Sequence, residues 1–271
     1  MRNGAPLVLD SVTHLTEAAF GRVALCASHG GEYAGWYAVR RGVSALILHD
    51  AGIGRQQAGI GALDWLSGLG VPCACVGHMT ARIGDGADML ARGRISAVNG
   101  PAGACGIETG MAAAEALAIL AGQDLPAAQT RFEMGEARRE IEDAGRRGVR
   151  VFVLDSNGLV GPGDAGHIVV TGSHGGLLGG KPETAVKAPV LAALYNDAGF
   201  GIDDAGISRL PALQARGIAG ACVSCFSARI GEGMSTWSDG YVSALNPLAA
   251  SRGGRIGQSA RDFVAAMLEH V

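Results

Sequence analysis

The second half of the chain repeats the first. The tetrapeptide that begins at Val8 recurs 145 residues later, and so does the Ser-His-Gly-Gly that begins at Ser28. Residues 49–99 align with 196–246 at an offset of 147, with roughly 22 identical positions among 51. A similarity of that extent predicts a duplicated chain whose two halves build the same unit.

The duplication predicts three parts. We expect a first α/β repeat over residues 1–120, a linking helix over 121–149 and a second α/β repeat over 150–271. Two copies are too few for a solenoid, so a pseudo-twofold pair of similar lobes is favoured. The linking helix is predicted from an apolar stripe at helical spacing. That stripe comprises Phe132, Ala137, Ile141 and Ala144.

Within each repeat, short apolar runs alternate with helical patterns, which favours an α/β fold. The runs lack polar alternation, as strands of mostly parallel sheets do when helices cover both faces. The predicted strands are 7–9, 23–27, 45–48, 72–77, 95–98, 151–154, 168–171, 190–194, 219–224 and 242–245. The predicted helices are 56–66, 109–120, 203–214 and 259–268.

Composition narrows the range of partners. A net charge of −3 gives no basic surface for nucleic acid or anionic lipid, and no apolar run is long enough to span a membrane. Only 17% of residues are charged, which favours a surface partly covered in a homo-oligomer. Six cysteines, and an N-terminal Met1–Gly4 without an apolar signal core, predict a reduced, cytoplasmic protein.

Polar residues and glycines follow the predicted strands, where ligands bind in open α/β sheets. In the second repeat, Ser173 lies on a glycine turn at a strand end, a position that suits a nucleophile beside backbone amides. His174 or Lys181 would take its proton, and Asp197 would orient the base. The alternative for Ser173 and Asp197 is that each caps the following helix.

A second set of polar residues is predicted to bind substrate. The Arg82 and Arg229 guanidinium groups lie in glycine-flanked loops and suit a substrate carboxylate, or each braces a nearby acid. The full predicted binding set is Ser28, His29, Asp50, Arg82, Asn196 and Arg229.

The cysteine pattern is weaker evidence of a functional site than the strand-end motifs. Cys222 and Cys225 have CxxC spacing, but no second pair completes a zinc site. Buried structural thiols are therefore favoured. Cys225 aligns with His78, however, which leaves open a pair of proton-transfer residues, one from each repeat.

These observations favour an enzyme that hydrolyses a C–N bond, in an amide or cyclic amide, of a small anionic substrate bound between the two lobes. No cofactor and no metal are expected. One alternative is an isomerase or racemase that uses His78 with Cys225, or His29 with His174. The other is a non-catalytic protein that binds an anion or metabolite through its glycine turns.

Overall fold

The computed structural model describes residues 4–271. The expectation drawn from the N-terminal tetrapeptide concerns mainly Met1–Asn3, which lie outside the described residues. The chain forms two compact units. The first comprises the residues up to Ile53, Gln57–Gly135 and Gly201–Asp203, and the second comprises Gly54–Gln56, Glu136–Phe200 and the residues from Asp204 onward.

The first unit contains a five-stranded sheet in the order β1-β2-β3-β4-β5. Strands β1 to β4 are parallel, and β5 is antiparallel to β4. The strands are β1 (Leu7–Leu9), β2 (Val23–His29), β3 (Ala45–His49), β4 (Cys73–Val76) and β5 (Ile95–Val98). The helices are α1 (Glu32–Arg40), α2 (Ala62–Gly68), α3 (Gly86–Arg92), α4 (Gly100–Ala104) and α5 (Ala113–Ala121).

The second unit repeats this plan with one additional strand. Its strands are β6 (Arg138–Glu140), β7 (Val151–Leu154), β8 (Ile168–His174), β9 (Ala192–Asn196), β10 (Ala219–Val223) and β11 (Val242–Leu245). They lie in the order β11-β10-β9-β8-β7-β6, and β7 to β10 are parallel. Its helices are α6 (Arg209–Ala215), α7 (Gly233–Asp239), α8 (Pro247–Ser251) and α9 (Ala260–Leu268). The predicted α/β class, with mostly parallel sheets in two similar units, is confirmed.

Helices cover both faces of each sheet. Alternate side chains of β2 point to opposite faces: Ala24 and Cys26 pack with buried residues of α1 and α2, and Leu25 and Ala27 pack with residues of α3 and α5. In the second unit, Val170 of β8 packs on the side of α7 and α9, and Val169 packs on the side of α6. Burial on both faces explains why the strand segments are apolar without alternation.

The linking helix predicted over 121–149 is wrong. Beyond α5, this segment contains β6 and a 3-10 turn at Glu142–Ala144. Strand β6 pairs antiparallel with β7, and Arg138 binds the buried carboxylate of Asp164 at 2.6 Å. Covering an open sheet edge and pairing a buried acid outweigh helical side-chain pairs, which contribute only about 0.3–0.5 kcal/mol each.

Two predicted helices also begin later than expected. The segment predicted as helix over 56–66 forms a 3-10 segment at Arg55–Ile60 before α2, and the matching segment forms one at Ile202–Ile207 before α6. None of the helices within residues 4–271 is long and apolar enough to cross a membrane.

One buried amide joins several backbone segments in each unit. The Asn99 Oδ1 accepts hydrogen bonds from the N–H groups of Cys73 (2.9 Å) and Ala102 (3.0 Å), and its Nδ2 donates to the carbonyls of Val71 (2.9 Å) and Leu63 (3.3 Å). Asn246 makes the four matching contacts in the second unit.

Removing either amide is expected to leave buried backbone groups without partners. We predict that Asn99→Ala and Asn246→Ala each lower the free energy of unfolding by about 2–4 kcal/mol. Urea unfolding monitored by circular dichroism measures the loss. The exposed Ser251→Ala is the control and should change stability by less than about 0.5 kcal/mol. A loss that small in Asn99→Ala would contradict this role.

Candidate functional site

The predicted polar motifs lie at the carboxyl ends of parallel strands. In the first unit, His29 ends β2 and His49 ends β3, and the two are register partners. In the second unit, His174 and Asn196 occupy the same places at the ends of β8 and β9. Each sheet therefore brings its predicted residues together at the edge where α/β proteins bind ligands.

A buried carboxylate organises the first of these edges. Asp50 follows β3 directly and is 2% exposed. Its Oδ1 accepts hydrogen bonds from the backbone N–H groups of Gly52 (3.1 Å) and His78 (2.9 Å). The same oxygen lies 3.0 Å from His78 Nδ1. One oxygen thus holds the loop after β3, the chain after β4 and an imidazole ring.

The charge state of Asp50 follows from these contacts. Burial acts to raise the pKa of Asp50, but the hydrogen bond from His78, the nearby His49 and the Gly52 N–H outweigh it. The net effect lowers the pKa below its ordinary value, so Asp50 is ionised at neutral pH.

The carboxylate fixes the tautomer of His78. An ionised acid is only an acceptor, so His78 Nδ1 carries the proton and the lone pair of a neutral ring lies on Nε2. The His78 side chain is 27% exposed, whereas the Asp50 side chain is 3% exposed. A partly accessible imidazole oriented by a buried acid is the arrangement of a general base.

The second unit contains the same framework with a thiol in place of the imidazole. Asp197 Oδ1 accepts hydrogen bonds from the N–H groups of Gly199 and Cys225, both at 2.9 Å. Burial, together with the charge and hydrogen bonding of Asp197, raises the pKa of the Cys225 thiol to about 12. Cys225 is therefore protonated at neutral pH.

His49 has a role that an asparagine fills in the other unit. His49 Nδ1 accepts from the Ala51 N–H (3.1 Å), and Nε2 lies 3.0 Å from the Ala81 carbonyl. Asn196 makes the matching contacts with the Ala198 N–H and the Ala228 carbonyl. Burial lowers the pKa of His49, so a neutral ring acts here as an amide would.

His29 and His174 also make matching contacts. Each Nδ1 accepts a backbone N–H two residues on, from Gly31 (3.2 Å) and Gly176 (3.1 Å). Burial and the adjacent His49 lower the pKa of His29 to about 4. His29 is therefore neutral at pH 7 and its Nδ1 holds a glycine turn.

Ser28 and Ser173 act as backbone acceptors. Ser28 Oγ accepts the Val12 N–H, and Ser173 Oγ accepts the Asn157 N–H, each at 2.8 Å. Within residues 4–271, no hydrogen bond joins Ser173 to Lys181. Because both copies make the same contact, turn stabilisation accounts for both serines, and the nucleophilic role of Ser173 stays a prediction.

Lys181 is exposed at the end of a 3-10 turn that has no counterpart in the first unit. A buried arginine holds the chain on either side of this turn. Arg209 Nε donates to the His174 carbonyl (3.2 Å), and its Nη1 donates to the carbonyls of Thr184 and Ala185. These bonds fix the backbone of the segment that carries Lys181.

Arg82 and Arg229 already have acidic partners. Arg82 binds Asp203 at 2.9 Å within the first unit, and Arg229 binds Glu232 at 2.6 Å and Gln56 Oε1 at 2.7 Å within the second. A substrate carboxylate would have to replace these partners, so the bracing alternative is the state seen in the structure.

The loop after β3 follows an uncommon backbone path. Six of its seven residues have positive φ, and the Ile53 N–H donates to the Asp50 carbonyl at 2.7 Å. A Cβ at Gly59 would collide with that carbonyl, so glycine is required there. The matching loop of the second unit repeats the pattern. The positive-φ residues are Ala51, Gly52, Ile53, Gly54, Gln56 and Gln57, and Ala198, Gly199, Phe200, Gly201, Asp203 and Asp204.

Two features of the site were missed from sequence. The roles of Asp50 and His78 were predicted separately, because residues 28 apart are not recognised as partners without the strand pairing. The left-handed path of the two loops was not predicted, and its last residues, at 56–57 and 203–204, were predicted as the start of helices. The glycine spacing at 52, 54 and 59 was a usable signal of positive φ.

Comparisons with known proteins provide no further assignment. No protein-family model matches the chain, and neither the search of characterised proteins nor the search of solved structures gave a significant match. Among the described residues, no group of three or more His, Cys, Asp or Glu side chains is placed to hold a metal ion.

The neutral histidines predict a pH-dependent stability that His49→Asn should reduce. A histidine whose pKa is lower when folded than its ordinary 6.5 binds fewer protons in the folded state, so stability falls as pH drops below 6.5. We expect His49→Asn to match wild type at pH 8, because Asn196 makes the same contacts, and to lose less stability between pH 6.5 and 4. Urea unfolding across this range measures both values. Equal slopes for variant and wild type would show that His49 does not titrate as described.

Proposed function

We propose that the protein is an enzyme acting on a small molecule, with His78 as the proton-transferring residue and Asp50 as the residue that orients it. Hydrolysis of a C–N bond in an amide or cyclic amide is the favoured reaction. The observation that carries this proposal is the 3.0 Å contact between His78 Nδ1 and the buried Asp50 carboxylate at the carboxyl edge of the sheet.

A single oriented imidazole can supply both proton transfers that hydrolysis needs. In the first step, water attacks the carbonyl carbon and its proton moves to His78 Nε2. In the second step, the C–N bond breaks and the imidazolium returns the proton to the leaving nitrogen. The products are a carboxylic acid and an amine, and Asp50 stabilises the imidazolium between the two steps.

This assignment moves the base from His174 or Lys181 to His78. In the alternative that begins with Ser173, its hydroxyl would have to release the Asn157 N–H before it could attack. Ser28→Ala provides a matched control, since Ser28 makes the same backbone contact. Loss of turnover in Ser173→Ala but not in Ser28→Ala would restore the nucleophile hypothesis.

An isomerase is the second candidate. The Asp197 carboxylate holds the Cys225 thiol in the place that His78 occupies in the first unit. Imidazole and thiol are both groups that transfer protons to and from carbon. In this reaction His78 would remove a proton from a carbon next to a carbonyl, and no bond to water oxygen would form.

His78→Gln is predicted to lower turnover by about 100-fold or more, the range for loss of a general acid or base. Asp50→Asn should lower it less, because an amide oxygen can still accept the His78 N–H but carries no charge. Turnover is measured with a panel of open-chain amides, lactams and 5-substituted hydantoins, following product by chromatography. His14→Gln alters an exposed histidine and is the control. Full activity in His78→Gln, or no turnover of any panel member by wild type, would refute the proposal.

Isotopes separate the two reactions. Hydrolysis in ¹⁸O-labelled water places label in the carboxylate product, whereas isomerisation in heavy water places deuterium at C5 of a hydantoin without ring opening. Deuterium exchange that His78→Gln abolishes, with no ¹⁸O incorporated, would favour the isomerase.

We further propose a cytoplasmic homo-oligomer, on the basis of the 17% charged content and the six free thiols. Multi-angle light scattering is expected to give a mass of at least twice 27.4 kDa. A mass of one chain at all concentrations would contradict the oligomer.

A further inference from the structure

Ile53 combines two properties that are each unfavourable for an isoleucine, a left-handed backbone and an exposed position. Its φ is +62°, in the left-handed region where a β-branched residue is a clear outlier. The residue is also 39% exposed and is one of the exposed large hydrophobic residues of the described chain. It thus combines backbone strain with incomplete burial.

The second unit shows how the same strain is offset elsewhere. Phe200 occupies the matching place with a φ of +61°. Its ring is half-buried and packs against a core cluster that includes Leu210 and Tyr195. Burial of apolar surface therefore accounts for a large side chain at this position in the second unit. Among residues 4–271, Ile53 is not one of the residues that pack in or against the hydrophobic core clusters.

Ile53 is tied to the residues proposed for catalysis. Its N–H donates to the Asp50 carbonyl at 2.7 Å, and its carbonyl accepts the Gly59 N–H at 2.9 Å. Asp50 in turn binds His78. Met79, the next residue after His78, is 60% exposed, so a second large apolar side chain follows the imidazole directly in the chain.

From this combination we infer that Ile53 is a specificity-determining residue that contacts the substrate. This inference rests on the proposed function. An exposed apolar residue whose backbone is hydrogen-bonded to Asp50 fits a substrate that carries an aliphatic or aromatic group next to the reacting bond. In a cyclic amide such as a hydantoin, that group would be the substituent on C5.

Ile53→Gly separates a substrate contact from a structural role. Glycine adopts positive φ without penalty, so the variant should have a higher Tm than wild type. If Ile53 contacts the substituent, the same variant should show a kcat/KM for 5-benzylhydantoin that is about tenfold lower, mainly through KM. Its kcat/KM for unsubstituted hydantoin should change less than twofold.

Gln57→Gly is the matched control. Gln57 lies in the same loop, is exposed and has a φ of +58°. This variant should gain stability in the same way and leave kcat/KM unchanged for both hydantoins. Binding of 5-benzylhydantoin, measured by calorimetry with wild type, Ile53→Gly and Gln57→Gly, provides a readout that does not depend on turnover.

The outcomes distinguish the two proposals. If His78→Gln is inactive but Ile53→Gly binds and turns over both hydantoins as wild type does, the specificity role is wrong and the proposed function stands. If His78→Gln is fully active, the proposed function fails whatever Ile53 does. If wild type binds the benzyl compound no more tightly than hydantoin itself, the apolar contact is refuted directly.

Discussion

The Asp50 carboxylate is the interaction on which the first unit's candidate site depends. A buried acid is stable only when hydrogen bonds replace its lost hydration, and Asp50 obtains these from Gly52 and His78. The same bonds close the loop after β3 and fix the position of the chain after β4. Orientation of the His78 ring is therefore a consequence of satisfying a buried charge, and a change at Asp50 affects the loop, the chain after β4 and the base together.

The duplication lets each unit serve as a control for the other. Contacts present in both copies, such as those of Asn99 and Asn246 or of Ser28 and Ser173, need no explanation beyond the fold. Where matching positions of the two units carry different residues, the shared fold does not determine which residue is present. His78 against Cys225 is the clearest difference, because the Asp framework around each is the same while the side chain it holds is not.

The sequence was sufficient to predict ten of the eleven strands, but not β6 or the loops that complete the sites. Apolar runs such as Ala45–Leu48 are recognisable because both faces of a central strand must be buried. Local pattern failed over 131–150, where pairing with β7 and the Arg138–Asp164 contact prevailed over helical spacing. It failed again at Gln56 and Gln57, which were predicted as the start of a helix but have positive φ. The loop that contains them is closed by hydrogen bonds to Asp50 and by the close approach of Gly59 to the Asp50 carbonyl.

The path of the strained loops and the side chains that they carry have different explanations. Because the left-handed path occurs in both units, its general course is explained by the shared fold: the chain must turn back from a buried aspartate toward the next helix. Shared strain is thus no evidence of function by itself. The fold does not explain why isoleucine occupies position 53. A left-handed backbone costs a residue with a Cβ about 1–2 kcal/mol, and glycine at this position would remove that cost. Phe200 offsets that strain by packing against the core of its unit, whereas for Ile53 the proposed contact with the substrate is the explanation.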